Sequence, residues 1–171
     1  YKALNPTSLI HTLVDGELAI GQSMAILEYL EETYPQPALL PADAAGRARV
    51  RTLAQTIACD IHPLNNLRVL KYLKNDLGVD ENAKNKWYAH WISVGLGSVE
   101  AMLAGDPSTG RYCHGDQPTM ADVLLVPQVF NARRFNCDLS AMPTITRIVE
   151  ACAGLEAFAR AEPARQPDAE A

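Results

Sequence analysis

Apolar and polar positions divide the chain into a short alternating stretch and a long helical one. Leu9 to Leu13 and Leu18 to Ile20 flank Asp15-Gly16, the pattern of two strands joined by a tight hairpin turn. Two strands alone are marginal in water, so this hairpin calls for more sheet than the chain supplies. Gln22-Ser23 then opens a helix in which Met24, Leu27 and Leu30 recur at near-helical spacing, and Pro35 and Pro37 stop it. Gln36 to Ala45 carries Pro37, Pro41 and small side chains and reads as a linker between domains. From Gly46 onward the spacing is helical throughout. Ala48 to Leu73 is one long pattern interrupted by Pro63, and Asp80 to Leu103 is a second, carrying Trp87, Trp91, Ile92 and Val99. Thr144 to Cys152 and Leu155 to Ala161 are two shorter helices, followed by a polar tail from Glu162 to Ala171.

Between these lies the stretch that the helical part is organised around. Thr119-Met120-Ala121-Asp122 has the residue types of a capping box: the Thr119 hydroxyl can accept from the N–H three residues on, and Asp122 can reach back to the Thr119 N–H. The Asp122 charge also suits the positive end of the helix. The following Val123 to Phe130 is apolar on nearly every face, which predicts a helix buried all round, with Pro127 kinking it. The fold class is therefore α+β and mostly α, with 1–36 as part of a mixed domain and 46–171 as an all-helical one.

Composition narrows the function classes. With 171 residues and 48% apolar content, the chain can bury one good core or one domain and part of another. A formal charge of -5 without a basic block argues against a nucleic-acid partner. Its apolar runs are too short to span a bilayer and no signal peptide is evident, so a cytoplasmic protein without a membrane partner is expected. Cys59, Cys113, Cys137 and Cys152 are widely scattered, as are His11, His62, His90 and His114, so neither a disulfide framework nor a metal site is expected.

Three places carry polar chemistry. Gln22-Ser23 stands where a strand hands over to a helix N-terminus, a geometry that turns backbone N–H groups toward an anion; a plain helix cap is the alternative. Cys59-Asp60-Ile61-His62-Pro63-Leu64-Asn65-Asn66-Leu67-Arg68 is the most polar stretch of an otherwise apolar helix. In a continuous helix His62 and Asn66 share a face, Asn65 lies beside them and Arg68 sits about 120° away. Such a cluster can bind a ligand or can satisfy the carbonyls freed by the Pro63 kink. Arg133-Arg134 ends the core helix, either as solvated surface, as an ion pair with Asp138, or as a bidentate grip on a carboxylate. No nucleophile stands beside a base, so an enzyme built from these residues must borrow its reactive group.

The run Gly-Asp-x-Pro-Thr-x-Ala-Asp from Gly115, continuing through Leu-Val-Pro-Gln-Val-x-Asn-Ala-Arg-Arg-Phe, resembles the core helix and following loop of cytosolic glutathione transferases. It is most similar to the zeta class, the maleylacetoacetate and maleylpyruvate isomerases of aromatic-compound and tyrosine breakdown, and the likeness covers most of the chain. The resemblance implies that 1–36 is the second half of a thioredoxin-like domain whose first strand–helix–strand unit precedes Tyr1. A serine-rich motif that stabilises the thiolate would lie there, so no catalytic residue is expected in this chain. It further implies glutathione as cofactor, held by the Ile10 backbone, Gln22 and Ser23, and by His62 and Asn66 of the Pro-Leu-x-Asn-Leu run. A small dicarboxylate keto acid would be held by Arg68 and Arg134, and the protein would be a homodimer. The reaction expected is cis–trans isomerisation through reversible addition of a borrowed thiolate to the double bond. Two alternatives stand beside it: a transferase conjugating hydrophobic or halogenated electrophiles, and a non-catalytic interaction protein of the same fold. The second is supported by one departure, Ile10-His11 where the family carries Val-Pro.

Overall fold

The structure is a computed structural model and describes residues 5–7, 11–167 and 169. Strands β1 (Thr12–Asp15) and β2 (Leu18–Gly21) pair antiparallel, with Leu13 opposite Ile20 and Asp15 opposite Leu18. That register leaves Gly16-Glu17 as the turn, one residue beyond the Asp15-Gly16 expected. Gly16 lies at φ 59°, the left-handed conformation that the first central position of such a turn demands. Asp15 is thus the last paired residue of β1, which also begins later than Leu9; residues 8–10 lie outside the described residues. The Asp15 carboxylate accepts from the Tyr29 hydroxyl at 2.8 Å and the Tyr34 hydroxyl at 3.0 Å, which ties the hairpin to α1 (Ser23–Thr33).

The segment expected as a linker is packed. Leu40 is buried, Glu31 of α1 accepts from the Leu39 N–H at 2.6 Å, and the Leu39 carbonyl accepts from Met120 N–H at 2.9 Å. Helix α2 (Ala44–Gln55) begins inside the expected linker, because Asp43 caps it by accepting from Gly46 N–H at 2.8 Å. Arg51 of α2 grips Glu28 of α1 through two bonds, at 2.6 and 2.8 Å.

The long pattern expected over Ala48 to Leu73 is not one helix. After α2 the chain widens into a π-helical turn over Thr56–Ile61, continues as a single α turn, α3 (His62–Asn65), and breaks at Asn66 before α4 (Leu67–Asn75). Proline explains the first change. Pro63 has no N–H to give and its ring crowds the carbonyl four residues back. The wide turn lets the His62 N–H reach the Ile57 carbonyl, five residues back, instead. At Asn66 the backbone turns extended, ψ 145°, and its side chain caps the next helix by accepting from Arg68 N–H at 3.1 Å.

Helix α5 (Glu81–Ala104), capped by Asp80, crosses this irregular stretch. The crossing is close because of Gly95: a Cβ there would lie 2.4 Å from Ile61 Cγ1, so only glycine fits. At the other end of the contact the Trp87 indole N–H donates to the Leu64 carbonyl at 2.8 Å. Helix α6 (Met120–Arg134) packs on α2 and the π turn, and α7 (Pro143–Ala153) closes the bundle against α5 and α6. Glu100 of α5 caps α7 by accepting from Thr144 and Ile145 N–H groups at 3.0 and 2.9 Å. A short α8 (Glu156–Arg160) follows. Leu53, Ile61, Ile92, Leu96, Leu103, Met120, Leu125, Ile145 and Ile148 form the fully buried centre.

The capping box is present, with its emphasis moved. The Thr119 N–H and the Thr119 hydroxyl both donate to Asp122 Oδ2 at 2.8 Å, and Asp122 Oδ1 accepts from Cys113 N–H at 2.9 Å. The fully buried carboxylate, not the hydroxyl, is the centre of the cap, and it pins the preceding loop as well as the helix. Burial and this carboxylate together push the Cys113 thiol far up. Helix α6 also departs from burial on all faces. Asp122, Leu125, Gln128, Val129 and Ala132 point inward, whereas Pro127 and Phe130 are exposed, and so are both arginines at its end.

Candidate functional site

The first arm of the site is the N-terminus of α1. Gln22 is its N-cap at φ 73°, ψ 120°, and makes no side-chain cap bond. A left-handed conformation at a non-glycine residue costs on the order of 1–3 kcal/mol and clusters at ligand clamps. Here it swings the backbone out of β2 and leaves the Gln22 amide and the first N–H groups of α1 uncommitted, with Ser23 half-buried beside them. The Ile10 position lies outside the described residues; His11, next to it, is described and exposed.

The second arm is α3. His62 Nε2 and Asn66 Nδ2 are 3.4 Å apart, the only polar contact within the candidate set among the described residues. The two stay neighbours although the helix between them ends, because Asn66 holds its place as the cap of α4. The pKa of His62 is lowered, chiefly by the protein packed around it and then by the charge of His11. Two consequences follow. His62 is a neutral ring at neutral pH, able to accept from the Asn66 amide, and His11 stands near enough to act on it. The hairpin entrance and α3 therefore face one another.

Asn65, between these residues, is buried, and both polar atoms of its amide lack a partner among the described residues. Leaving a buried polar group unsatisfied costs about 1–3 kcal/mol. A sequence can suggest Asn65 as part of a polar cluster, but not that its amide is orphaned.

The arginines are set apart. Arg68 lies in the first turn of α4, after the break, so its direction follows α4 and not the 120° of a continuous helix. Arg134 ends α6. Both are exposed, and neither guanidinium has an ion pair or hydrogen bond among the described residues. The suggested partner Asp138 is engaged elsewhere: it accepts from Ser140 N–H at 2.9 Å, which holds its carboxyl below the usual range. Two cations without internal counter-charges, one on each of two neighbouring elements of the bundle, are suited to carboxylates from outside. Cavities lined by Arg49, Asp106 and the loop before α6 include none of these residues. There Arg49 is consumed in holding the loop, donating to Asp106, Thr109 and the Cys113 carbonyl at 2.6–2.8 Å.

Comparison with known proteins settles the family. A maleylpyruvate isomerase of Ralstonia sp. is 56% identical over 168 residues, which are 98% of this chain and 79% of that one. The chain belongs to the zeta class of glutathione transferases. No family model matches it. A solved holo maleylpyruvate isomerase, described as a bacterial zeta-class glutathione transferase, superposes with a TM-score of 0.96 at 56% identity, covering 99% of this chain and 80% of that one. The maleylacetoacetate isomerase of Anaeromyxobacter dehalogenans 2CP-1, solved with dicarboxyethyl glutathione and citrate in its active site, matches with a TM-score of 0.86 and 42% identity, over 99% of this chain and 77% of that one. Glutathione is the cofactor of this class, and the arrangement above fits it. An uncapped helix N-terminus with a free glutamine suits one carboxylate end, and the facing His62–Asn66 pair suits the rest of a peptide.

Proposed function

We propose that this zeta-class chain is a glutathione-dependent cis–trans isomerase of a maleyl keto acid, with maleylpyruvate preferred over maleylacetoacetate. The reading rests above all on one observation: Arg68 and Arg134 carry guanidinium groups with no partner among the described residues, on elements adjoining the candidate cofactor arm. A conjugating transferase for hydrophobic electrophiles gains nothing from two such charges. A doubly anionic substrate does.

Glutathione supplies, when bound, a thiol whose reversible addition to the maleyl double bond permits its rotation. The chain's own residues bind and orient. Gln22 and Ser23, with the uncapped α1 N-terminus, receive the γ-glutamyl end. His62 and Asn66, and the Ile10 backbone, face the remainder. Neutral His62 adds no charge that would compete with the arginines. Arg68 and Arg134 each take a carboxylate, in two parallel N–H bonds where the fork allows, and fix the double bond relative to the cofactor. The same proposal has 1–36 as part of a thioredoxin-like domain, 46–171 as the helical domain, and a cytoplasmic homodimer as the working form. No helix of the described residues is long and apolar enough to cross a membrane.

The test is steady-state isomerisation by the full-length protein with glutathione present. Wild type turns over maleylpyruvate with the higher kcat/KM. Arg68→Gln and Arg134→Gln each raise KM about 10- to 100-fold, the worth of a charge-assisted hydrogen bond of about 1.5–3 kcal/mol, with glutathione affinity unchanged. Absence of turnover on both substrates, or an unmoved KM in both variants, overturns the proposal. Sedimentation velocity checks the dimer.

A further inference from the structure

Tyr88 lies in the first half of α5 and is only 3% exposed. Its ring is laid flat on Phe135, with centroids 3.9 Å apart and an interplanar angle of 16°. Phe135 directly follows Arg134, so the stack brings the phenol beneath the end of α6. A buried tyrosine ordinarily finds a hydrogen-bond partner for its hydroxyl. Tyr88 has none among the described residues. The groups that act on it are the Cys137 thiol and the Arg134 guanidinium; burial, then Cys137, push its pKa up to about 12 while Arg134 pulls it down. The phenol is therefore a neutral donor throughout the physiological range, close to a cation that itself has no partner.

Packing does not require the hydroxyl. Phenylalanine would stack on Phe135 equally well and would spare the fold a buried polar group without a partner. A carboxylate, however, offers about four lone-pair positions, and a bidentate arginine occupies two. A phenolic O–H can take a third without placing a second positive charge beside the first.

We propose that Tyr88 is a specificity residue whose hydroxyl donates to the same substrate carboxylate that Arg134 grips. This rests on the role given to Arg134 above. The ligand class is a small dicarboxylate, free or already joined to the cofactor. Glutathione's own carboxylates are assigned elsewhere, to the α1 N-terminus and the α3 arm, which makes the two ligands separable by experiment.

The experiment is calorimetry on the full-length protein with two probes, glutathione and S-(1,2-dicarboxyethyl)glutathione, for wild type, Tyr88→Phe, Arg134→Gln and the double variant. Tyr88→Phe weakens the dicarboxyethyl conjugate about tenfold, leaves plain glutathione within twofold, and does not lower the melting temperature. In turnover it raises KM about tenfold with kcat little changed. In the Arg134→Gln background the same substitution costs less than twofold, since the carboxylate it served is no longer held. Equal losses for both probes, a lower melting temperature, or an undiminished effect in the double variant overturns the inference. If Arg134→Gln weakens the conjugate and Tyr88→Phe does not, this inference alone fails. If Arg134→Gln leaves the conjugate untouched, the reading beneath it fails.

Discussion

The two ends of the molecule are held by different forces. From α2 to α7 the structure rests on a continuous apolar centre, with Ile61, Ile92, Leu96, Leu125 and Ile145 almost wholly removed from solvent. The hairpin and α1 bury far less: Val14 and Leu18 of the strands are 55% and 46% exposed. They are attached by polar ties, Asp15 to two tyrosines, Glu28 to Arg51, and Glu31 to the Leu39 N–H. Apolar burial of this kind contributes about 25 cal/mol per Å², whereas part-exposed ion pairs contribute about 0–1 kcal/mol each. The cofactor arm is thus carried by backbone conformation and local bonds, and the substrate arm by irregularities set into a rigid bundle. Damage to one should register as stability, damage to the other as affinity.

The largest expected effect is on the rigid side. Asp122→Ala removes a buried carboxylate that accepts three hydrogen bonds and leaves the N–H groups of Thr119 and Cys113 without partners. At about 1–3 kcal/mol for each buried orphan, the loss is roughly 3–5 kcal/mol, read as the urea midpoint. Thr119→Ala, which leaves the carboxylate in place, costs about 1 kcal/mol. Equal effects for the two would place the centre of the cap on the threonine instead.

A smaller effect of opposite character is expected at Gln22. Glycine adopts φ 73° freely, so Gln22→Gly relieves strain and raises stability by about 1 kcal/mol. The same change removes the amide and weakens glutathione about tenfold by calorimetry, the worth of about one good hydrogen bond. A variant that loses both stability and affinity would erase the contrast between the two arms.

The smallest effect is one of pH. The His62 pKa is lowered in the fold, so the unfolded chain binds more protons below its ordinary value near 6.5. Stability from this group is present above that value and is lost as pH falls through the folded pKa, by a few tenths of a kcal/mol for an exposed ring. His11→Ala removes the second cause and should narrow the window. A midpoint that improves on acidification between pH 6.5 and 5, relative to His62→Gln, would reverse the sign.

Most of the architecture was legible in the residues. Helical periodicity marked α5 and α7, Gln22-Ser23 marked the start of α1, and Thr119 with Asp122 marked the core helix. What escaped is instructive. A π turn differs from an α turn by one residue, and apolar spacing across Ala48 to Leu73 cannot register so small a slip, although Pro63 gave a reason to look for one. The strained Gln22 backbone has no composition signal, because glutamine is not a residue that favours positive φ. Tyr88 read as an ordinary core aromatic, since only its stack on Phe135 brings it near Arg134. The arginines and the His62–Asn66 pair were visible because polar residues inside an apolar helix demand partners.

The π turn has a consequence best put in terms of phase. It amounts to one surplus residue spliced into a helix, and each residue of an α-helix advances the next by about 100°. Deleting a single residue within Thr56–Ile61 would let the helix run on regularly through Cys59, with nearly the same helical content and mostly the same apolar contacts on α2. Everything after the splice would be rotated by that angle: Ile61 would leave Gly95, and His62 and Asn66 would turn away from the hairpin. The surplus residue works as a dial that sets where α3 points, and the aim of the whole second arm is written into a helix being one residue too long.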